Sequence, residues 1–502
     1  ATDMITFTRA SGGTALRKVS YGSELVTNSD FATNLTGWTD ISINGGSVVQ
    51  SSGVAVMTSV VSGTGARMYQ DVTTVVGKLY QLHVNRLSGV SIVQAPNFQS
   101  RNASGATTHA FVATSTTSRI TLIVYNAGIC QVDDVSVKEA TLDQADGTLQ
   151  LFNSPTNIPR IEYSADGTVK GLLIEEARTN KALYSQDFTN SNWNKYLATV
   201  TSNVATAPDG TNSAYSVVSQ GSGGAVYKTV NASGSHTWSI FAKAFSTSYL
   251  KLRSSNTGED TSFNLSGAGS VGTSNSNHTA SIESVGNGWY RCVVTSNSTN
   301  NRFTIYPVAS DDASGASGNS LYIWGAQLEA GIFPTSYIPT TDVTVTRAAD
   351  FASIPVDNFG YNKDAGSVVL DVQTPPEAQL ILLAYFNTST YINSRGFLKA
   401  ASSGNGIGNV FSNESYDGSS TKLNLPSPLA NSKSTKLGLS YKDNEVGVRD
   451  GGTVISGTGR STNPTTLHMA GRENGFQSQC WIKSIKYYPR RLSNTQLQEL
   501  TT

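Results

Sequence analysis

Pairs of adjacent acidic residues are the first candidates for chemistry, because paired carboxylates carry out acid–base hydrolysis of glycosidic bonds. They include Asp133-Asp134, Glu175-Glu176 and Asp311-Asp312. Neighbouring side chains on a strand point to opposite faces, so no such pair can flank one bond. The five histidines are scattered, without the two- or four-residue spacing typical of a zinc site. The sequence therefore predicts no catalytic residue.

The three cysteines, Cys130, Cys292 and Cys480, fall one in each third of the chain. An odd number with no close pair argues against both a disulfide framework and a thiolate metal site. Each lies in a short apolar run, where a free cysteine behaves as a small core hydrophobe. We expect three buried, unreactive thiols.

The elements that would have to position a site are short strands. Apolar and polar residues alternate in LYQLHVN (79–85) and HTWSIFAKA (236–244), which is the period of a strand. Only 14% of the residues are charged, against about 25% in a typical domain. The one convincing helical signal is the capping-box spacing from Ser493 to Gln496. These patterns predict an all-β chain of three jelly-roll or concanavalin-like sandwiches in series, with one short C-terminal helix.

An internal repeat indicates the domain boundaries. LVTNSDFATNLTGW (25–38) is echoed by LYSQDFTNSNW (183–193), and each copy is followed far downstream by a related closing strand. Such repetition predicts two similar jelly rolls. The expected units are an N-terminal segment (1–21), a first jelly roll (22–140), a joint segment (141–180), a second jelly roll (181–335), a linker (336–360) and a third sandwich (361–502).

A shorter echo links the N-terminus to the linker, since Thr-Arg-Ala occurs at 8–10 and again at 346–348. We interpret the two copies as matching connectors and the first jelly roll as an insertion. Domain insertion is tolerated where the ends of the insert lie close together. The hypothesis therefore requires Gly22 and Thr141 to be near neighbours. Arg178 and Arg347, each in a polar turn beside the second jelly roll, are predicted to be joint residues and not ligand contacts.

Composition excludes two classes of partner. Lys plus Arg and Asp plus Glu balance at 35 each, so no net positive field favours nucleic acid. No run of 18 or more apolar residues is present, so membrane insertion is not expected.

Several motifs resemble those of a known family. PRIEYSADGTVKGLLIEEARTN (159–180), NGWYRC (287–292), IWGAQLEAGIFPTSYIPTT (323–341) and VTRAAD (345–350) together resemble tail and fibre proteins of tailed bacteriophages. The first jelly roll is similar to the carbohydrate-binding modules of secreted glycan-degrading enzymes. Residues 361–502 resemble the laminin-G or concanavalin-like sandwich often found at the end of such fibres.

The resemblance implies a virion protein, a tail fibre or receptor-binding protein exposed to the extracellular medium. It implies non-catalytic adhesion to host surface polysaccharide or lipopolysaccharide, a homotrimer, and attachment to other virion tail proteins through the N-terminal segment. Two alternatives stay open. One is a secreted polysaccharide-degrading enzyme with carbohydrate-binding modules, and the other is a purely architectural decoration protein of the virion.

Sugar-binding sites combine flat aromatic faces with polar groups that orient hydroxyls. The candidate glycan-binding residues are Tyr69 and a glycine-rich loop carrying Arg472, Asn474 and Phe476. The alternative is that these are ordinary strand and loop residues.

Carbohydrate-binding jelly rolls often hold a structural calcium ion between their first and last strands. This resemblance implies Asp30 and Asp133 as calcium ligands, with backbone carbonyls completing the oxygen shell. The alternative is that Asp30 caps a turn and Asp133 is solvated. No other cofactor is expected.

Overall fold

A computed structural model describes residues 5–502 with these gaps: 61, 63–64, 103–104, 125, 231–233, 255–257, 298–301, 376–380, 388–393, 401–406, 415–419, 425–433, 459–463, 473–475 and 478. In the strands at 381–424 and in the hairpin at 471–477, only the backbone is described.

The first part of the chain forms β1 (Thr6–Thr8), β2 (Gly13–Glu24), β3 (Thr39–Asp40), β4 (Ser47–Ser51), β5 (Val54–Ser59), β6 (Ala66–Thr73), β7 (Leu79–Ser88), β8 (Ser91–Ala95), β9 (Phe98–Asn102), β10 (Gly105–Val112), β11 (Thr117–Val124), β12 (Gly128–Leu142) and β13 (Thr148–Ser154). The sheet β10-β7-β12-β2-β13, extended by β5 and β4, faces the sheet β3-β6-β11-β8-β9. Both sheets contribute to one apolar core, which makes this unit a sandwich.

The central part forms β14 (Arg160–Tyr163), β15 (Val169–Ile174), β16 (Arg178–Asn180), β17 (Asn194–Tyr196), β18 (Ala198–Ala205), β19 (Ala214–Ser219), β20 (Ala225–Thr229), β21 (His236–Ala244), β22 (Tyr249–Arg253), β23 (Asp260–Asn264), β24 (Ser270–Ser274), β25 (Thr279–Gly286), β26 (Trp289–Ser296), β27 (Arg302–Val308) and β28 (Ser320–Ala330). The second sandwich pairs the sheet β17-β20-β27-β22-β23-β24 with the sheet β18-β19-β28-β21-β26-β25 around its own core.

The last part forms β29 (Val345–Arg347), β30 (Phe351–Pro355), a 3₁₀ helix (Val356–Phe359), β31 (Gly366–Gln373), β32 (Ile381–Asn387), β33 (Ser394–Ala400), β34 (Ile407–Glu414), β35 (Ser420–Asn424), β36 (Ser434–Tyr441), β37 (Asn444–Arg449), β38 (Ile455–Thr458), β39 (Thr466–Met469), β40 (Gly471–Arg472), β41 (Phe476–Gln477), β42 (Cys480–Tyr488) and helix α1 (Asn494–Thr501). Ser493 caps α1 with the reciprocal capping box that the sequence predicts. The predicted all-β sandwich fold is confirmed.

The third sandwich is assembled from distant parts of the chain. Its sheets are β1-β30-β39-β32-β33-β34-β35 and β14-β15-β42-β31-β36-β37-β38. Phe7 from the N-terminus and Ile174 from the middle of the chain pack in its core beside Leu370. Residues 141–180, expected to form a joint, thus supply β13 to the first sandwich and β14 and β15 to the third. The linker expected at 336–360 supplies β30.

The chain leaves and re-enters this third unit through paired strands. Ser20 lies opposite Thr141 and Tyr21 opposite Ala140, so the two ends of the first sandwich are neighbours, as the insertion hypothesis requires. β16 pairs with β29 in the same way, with Arg178 opposite Arg347 at the base of the second sandwich. Both jelly rolls are therefore inserted between segments of the third sandwich, which is a discontinuous unit.

Five buried charges, which we call the joint cluster, lie where these segments meet: Arg9, Arg160, Glu175, Arg347 and Asp350. Each is at most 1% exposed. Arg9 Nη1 lies 3.0 Å from Asp350 Oδ1, and Arg160 contacts both Asp350 and Glu175. Arg347 Nη2 lies 3.4 Å from Glu175 Oε2. Buried charges are tolerated when they are paired in this way. The joint cluster therefore holds together the chain segments that contribute these residues.

The sequence repeat has a structural role in both jelly rolls. The indole N–H of Trp38 donates to the carbonyl of Asn28, and that of Trp193 donates to the carbonyl of Tyr184. Both indoles are buried. Each repeat thus anchors the loop that enters its sandwich. The three cysteines are free and buried, as predicted.

Within the described part of the chain, no helix has the length and apolar character needed to cross a membrane.

Candidate functional site: a tyrosine–arginine cleft on the second sandwich

Tyr69 lies on β6 and is half-buried. The guanidinium of Arg119 covers its ring, with Cζ 3.8 Å from the ring centroid. Asp71 holds that guanidinium through two hydrogen bonds of 2.8 and 2.7 Å. One face of this tyrosine is therefore occupied by the chain's own side chain. Its role in glycan binding stays a prediction.

The predicted loop cluster lies largely beyond what the structure describes. Arg472 and Phe476 oppose each other in the two-stranded hairpin of β40 and β41, and only their backbone is described. Asn474 lies outside the described residues.

The predicted calcium ligands lie near each other on the first sandwich. Asp30 Oδ1 accepts the N–H of Ala32, and Asp133 Oδ1 accepts the N–H of Asp134. Burial raises the pKa of Asp133, and the charges of Asp134 and Asp30 add to the effect. The described residues contain no group of three or more His, Cys, Asp or Glu side chains that could hold a metal ion. Calcium binding here stays a prediction.

An open cleft of about 560 Å³ lies on the six-stranded sheet that contains β20, β27 and β22. We call it the tyrosine–arginine cleft and define it by the side chains Tyr196, Tyr227, Lys251, Arg253, Arg302 and Tyr306. None of these residues was predicted from the sequence.

Strand alternation and register bring these side chains together. Lys251 and Arg253 are two residues apart on β22, and Arg302 and Tyr306 are four apart on β27, so each pair shares a face. Lys251 lies directly opposite Tyr306 on the neighbouring strand. The intervening residues, such as Leu252 and Ile305, point into the core. One face of the sheet thus holds the sandwich together while the other carries aromatic and cationic groups.

The third strand, β20, adds Tyr227 opposite Thr304. The guanidinium of Arg302 stacks on the Tyr227 ring, with Cζ 3.7 Å from the centroid. Arg253 Cζ lies 5.3 Å from the Tyr306 centroid. Cation–π contacts of this kind fix the direction of a guanidinium while its hydrogen-bond donors stay available. Tyr196 stands at the edge of the cleft with 54% of its surface exposed.

One carboxylate, Asp260, contacts the cationic groups. Two hydrogen bonds of 2.7 and 2.8 Å join it to Arg253, and they raise the pKa of that guanidinium. Lys251 Nζ lies 3.8 Å from the same carboxylate. Arg302 has no acidic partner among the described residues, and its buried Nε has no hydrogen-bond partner there. The buried hydroxyl of Thr304, beneath the cleft, is also unpartnered in the described part.

A second cleft, of about 420 Å³, lies between the first and second sandwiches. Its wall includes the carboxylates Glu24, Asp134 and Asp209. Glu24 accepts the backbone N–H groups of Leu25, Val26 and Val137, so it is a structural cap. The cleft has fewer aromatic groups than the tyrosine–arginine cleft, and its acids are mostly committed to the fold.

Comparisons with known proteins identify no family. No family model and no curated protein matches the chain. Among solved structures, the chain is similar to a Trypanosoma rangeli sialidase in complex with 2,3-difluorosialic acid, with 10% identity, coverage of 97% of this chain and 93% of that one, and a TM-score of 0.24. It is also similar to Bacteroides ovatus xyloglucan PUL GH43B, with 9% identity, coverage of 95% and 100%, and a TM-score of 0.18. Likeness at this level carries no argument about fold or function.

Proposed function

We propose that the chain is a non-catalytic glycan-adhesion protein of a bacteriophage virion, and that the tyrosine–arginine cleft is its binding site. The observation that supports this proposal is the cleft itself, where three tyrosines and three cationic side chains line an open sheet face. Sugars bind through stacking on aromatic faces and through donors that orient their hydroxyls, and this face supplies both.

Absence of catalysis is supported by the positions of the acidic pairs. Glycosidases place two carboxylates on either side of the scissile bond, about 5–5.5 or 6.5–9.5 Å apart. Glu175 is buried in the joint cluster, and Glu176 is bound to Arg178. Asp311 accepts hydrogen bonds from Thr273. Among the described residues, the carboxylate that contacts the cations of the tyrosine–arginine cleft is Asp260. It accepts a hydrogen bond from Arg253.

The virion location is supported by the family resemblance of residues 159–180 and 323–350. In this proposal the chain is a homotrimeric tail fibre or receptor-binding protein, exposed to the medium, that binds host polysaccharide or lipopolysaccharide. Attachment to other tail proteins through residues 1–21 is part of the same proposal. From residue 6 onwards much of that segment lies in β1 and β2, so the attachment surface would be a folded one.

Labelled full-length chain added to host cells tests adhesion. Binding should fall when surface glycans are oxidised with periodate and should survive protease treatment of the cells. Binding that resists periodate would contradict glycan adhesion. Immunogold labelling of purified particles tests the location, and label absent from the tail would contradict the virion assignment.

A polysaccharide-degrading enzyme remains the second candidate, because of Asp209 in the second cleft. Partial burial raises the pKa of this carboxyl, which is a property that a general acid needs. Thr211 donates two hydrogen bonds to it. If the chain is a polysaccharide-degrading enzyme, it will shorten a surface polysaccharide, and Asp209→Asn will abolish the shortening.

A further inference from the structure

We infer that the tyrosine–arginine cleft is specific for a carboxylated saccharide, one carrying a uronic or sialic acid, whose carboxylate binds Arg302. This inference rests on the proposed glycan binding and adds the chemical class of the ligand. It follows from comparing the cleft with the matching face of the first sandwich.

The two jelly rolls place a tyrosine and an arginine in the same register. In the first, Tyr69 lies opposite Thr121, and Arg119 is two residues before that threonine. In the second, Tyr227 lies opposite Thr304, and Arg302 is two residues before it. Each guanidinium stacks on its tyrosine, at 3.8 Å in the first sandwich and 3.7 Å in the second.

The copies differ at the residue opposite the arginine. Arg119 faces Asp71, which neutralises it through a two-bond fork. Arg302 faces Thr229, an exposed residue that carries no charge. The first sandwich thus holds its own anion at the position where the second sandwich has none. A guanidinium fork fits a carboxylate with two parallel hydrogen bonds, so a ligand carboxylate can bind Arg302 in the way that Asp71 binds Arg119.

The surroundings of Arg302 favour the same ligand. Lys251, Arg253 and Arg302 contribute three positive charges, and in the described part Asp260 contacts the first two of them. The chain as a whole is neutral, so this excess is local to the cleft. In the first sandwich the residues in the register positions of Lys251 and Tyr306 are Ile92 and Ile123, which also face each other. The cationic and aromatic pair is therefore confined to the second sandwich.

The test uses the full chain and three acidic polysaccharides, namely hyaluronan, alginate and polysialic acid. Each is compared with its carboxyl-reduced form, in which every carboxylate has become a primary alcohol, and with neutral dextran. Binding is measured by biolayer interferometry at 50 and 300 mM salt. At least one acidic polymer should bind, its reduced form should bind at least tenfold more weakly, and salt should weaken the binding.

Two reciprocal variants isolate Arg302. Thr229→Asp recreates the Asp71 arrangement beside Arg302 and should weaken binding of the acidic polymer at least tenfold. Thr229→Val adds no charge and should change binding less than twofold. Asp71→Thr makes the opposite change in the first sandwich and should also leave binding within twofold. Thr229 and Asp71 are both exposed, so all three variants should fold, and melting curves check this.

The outcomes separate this inference from the function on which it rests. Equal binding of reduced and native polymers, or full binding by Thr229→Asp, would overturn the carboxylate assignment and leave glycan adhesion standing. Binding to neutral dextran alone would do the same. If none of the native or reduced polymers binds, the carboxylate assignment is wrong, while periodate-sensitive binding to host cells still decides glycan adhesion separately.

Discussion

Arg9 donates a hydrogen bond to Asp350, 341 residues further along the chain, across 3.0 Å. Arg347, the arginine of the second Thr-Arg-Ala copy, lies with one amino group 4.0 Å from the same carboxylate. The two copies of the signature therefore meet at one buried acid. They mark where the chain departs for the first sandwich and where it returns from the second.

Replacing Asp350 with Asn should destabilise the protein by about 3–5 kcal/mol, because Arg9 and Arg160 would lose the buried charge that offsets theirs. Denaturant unfolding followed by tryptophan fluorescence measures the change. Asp71→Asn, which removes an exposed partner of Arg119, is the control and should hardly change the midpoint. A similar small effect of both variants would show that the joint cluster does not hold the segments together.

Stability should fall in acid because of Glu175. Burial alone would raise its pKa, but the charges of Arg347 and Arg160 and two hydrogen bonds from Ser336 outweigh burial and lower the pKa to about 2. Ionised Glu175 thus stabilises the fold above its ordinary pKa of 4.5, and the contribution, about 3 kcal/mol, is lost as the pH falls towards 2.

Unfolding free energies at pH 7, 4 and 3 test this expectation. Glu175→Gln should be less stable than the wild type at pH 7 and should show a flatter decline in acid. Glu139→Gln, which alters an exposed carboxylate beside Lys78, should follow the wild-type profile. Parallel profiles for wild type and Glu175→Gln would contradict the assignment.

Arg178→Ala and Arg347→Ala should lower stability without changing glycan binding per folded molecule. Arg347 donates to the carbonyls of Ala348 and Glu176, and Arg178 donates to the Glu176 carboxylate. Arg347→Ala should cost about 3 kcal/mol or more and Arg178→Ala about 1–2 kcal/mol, because Arg347 is the more buried of the two. A selective loss of binding in a fully folded variant would place these residues in the ligand site.

Deleting residues 23–140 and closing the gap with a short Gly-Ser link should leave a folded protein. β2 keeps its partner β13, and the joint cluster is untouched. Phe152 and Val19 lose part of their cover, which Ala110 and Ala140 supply in the whole chain, so the melting temperature should fall. Cooperative unfolding and an unchanged oligomeric state on size-exclusion chromatography are expected. The same deletion is also made with Phe152→Thr. Aggregation of both deletion variants would contradict the insertion interpretation.

Local patterns were enough to predict the strands and the capped helix. Trp38 and Trp193 each follow an Asp-Phe pair at short spacing, and this local signal corresponds to a local hydrogen bond. The joint cluster could not be predicted in full. The echo pointed to Arg9 and Arg347, but nothing in the sequence around Arg160 or Glu175 shows which distant charges surround them in the fold.

The cleft was missed for a similar reason. The run Lys251-Leu-Arg253 alternates between polar and apolar residues, and by itself this pattern indicates only an ordinary strand with one face exposed to solvent. Its meaning depends on the register that sets Lys251 opposite Tyr306 and Thr304 opposite Tyr227. Tyr69 was singled out from its local sequence, while its structural counterpart Tyr227 was overlooked.

The central claim, adhesion to glycan by the tyrosine–arginine cleft without cleavage, is tested most directly by mixing the chain with host surface polysaccharide. Binding and polymer length are followed in the same sample, the first by interferometry and the second by size-exclusion chromatography. The account predicts that the polysaccharide binds at unchanged length and that Tyr306→Ala, at an unchanged melting temperature, binds at least tenfold more weakly. Shortening of the polymer, or full binding by Tyr306→Ala, would contradict it.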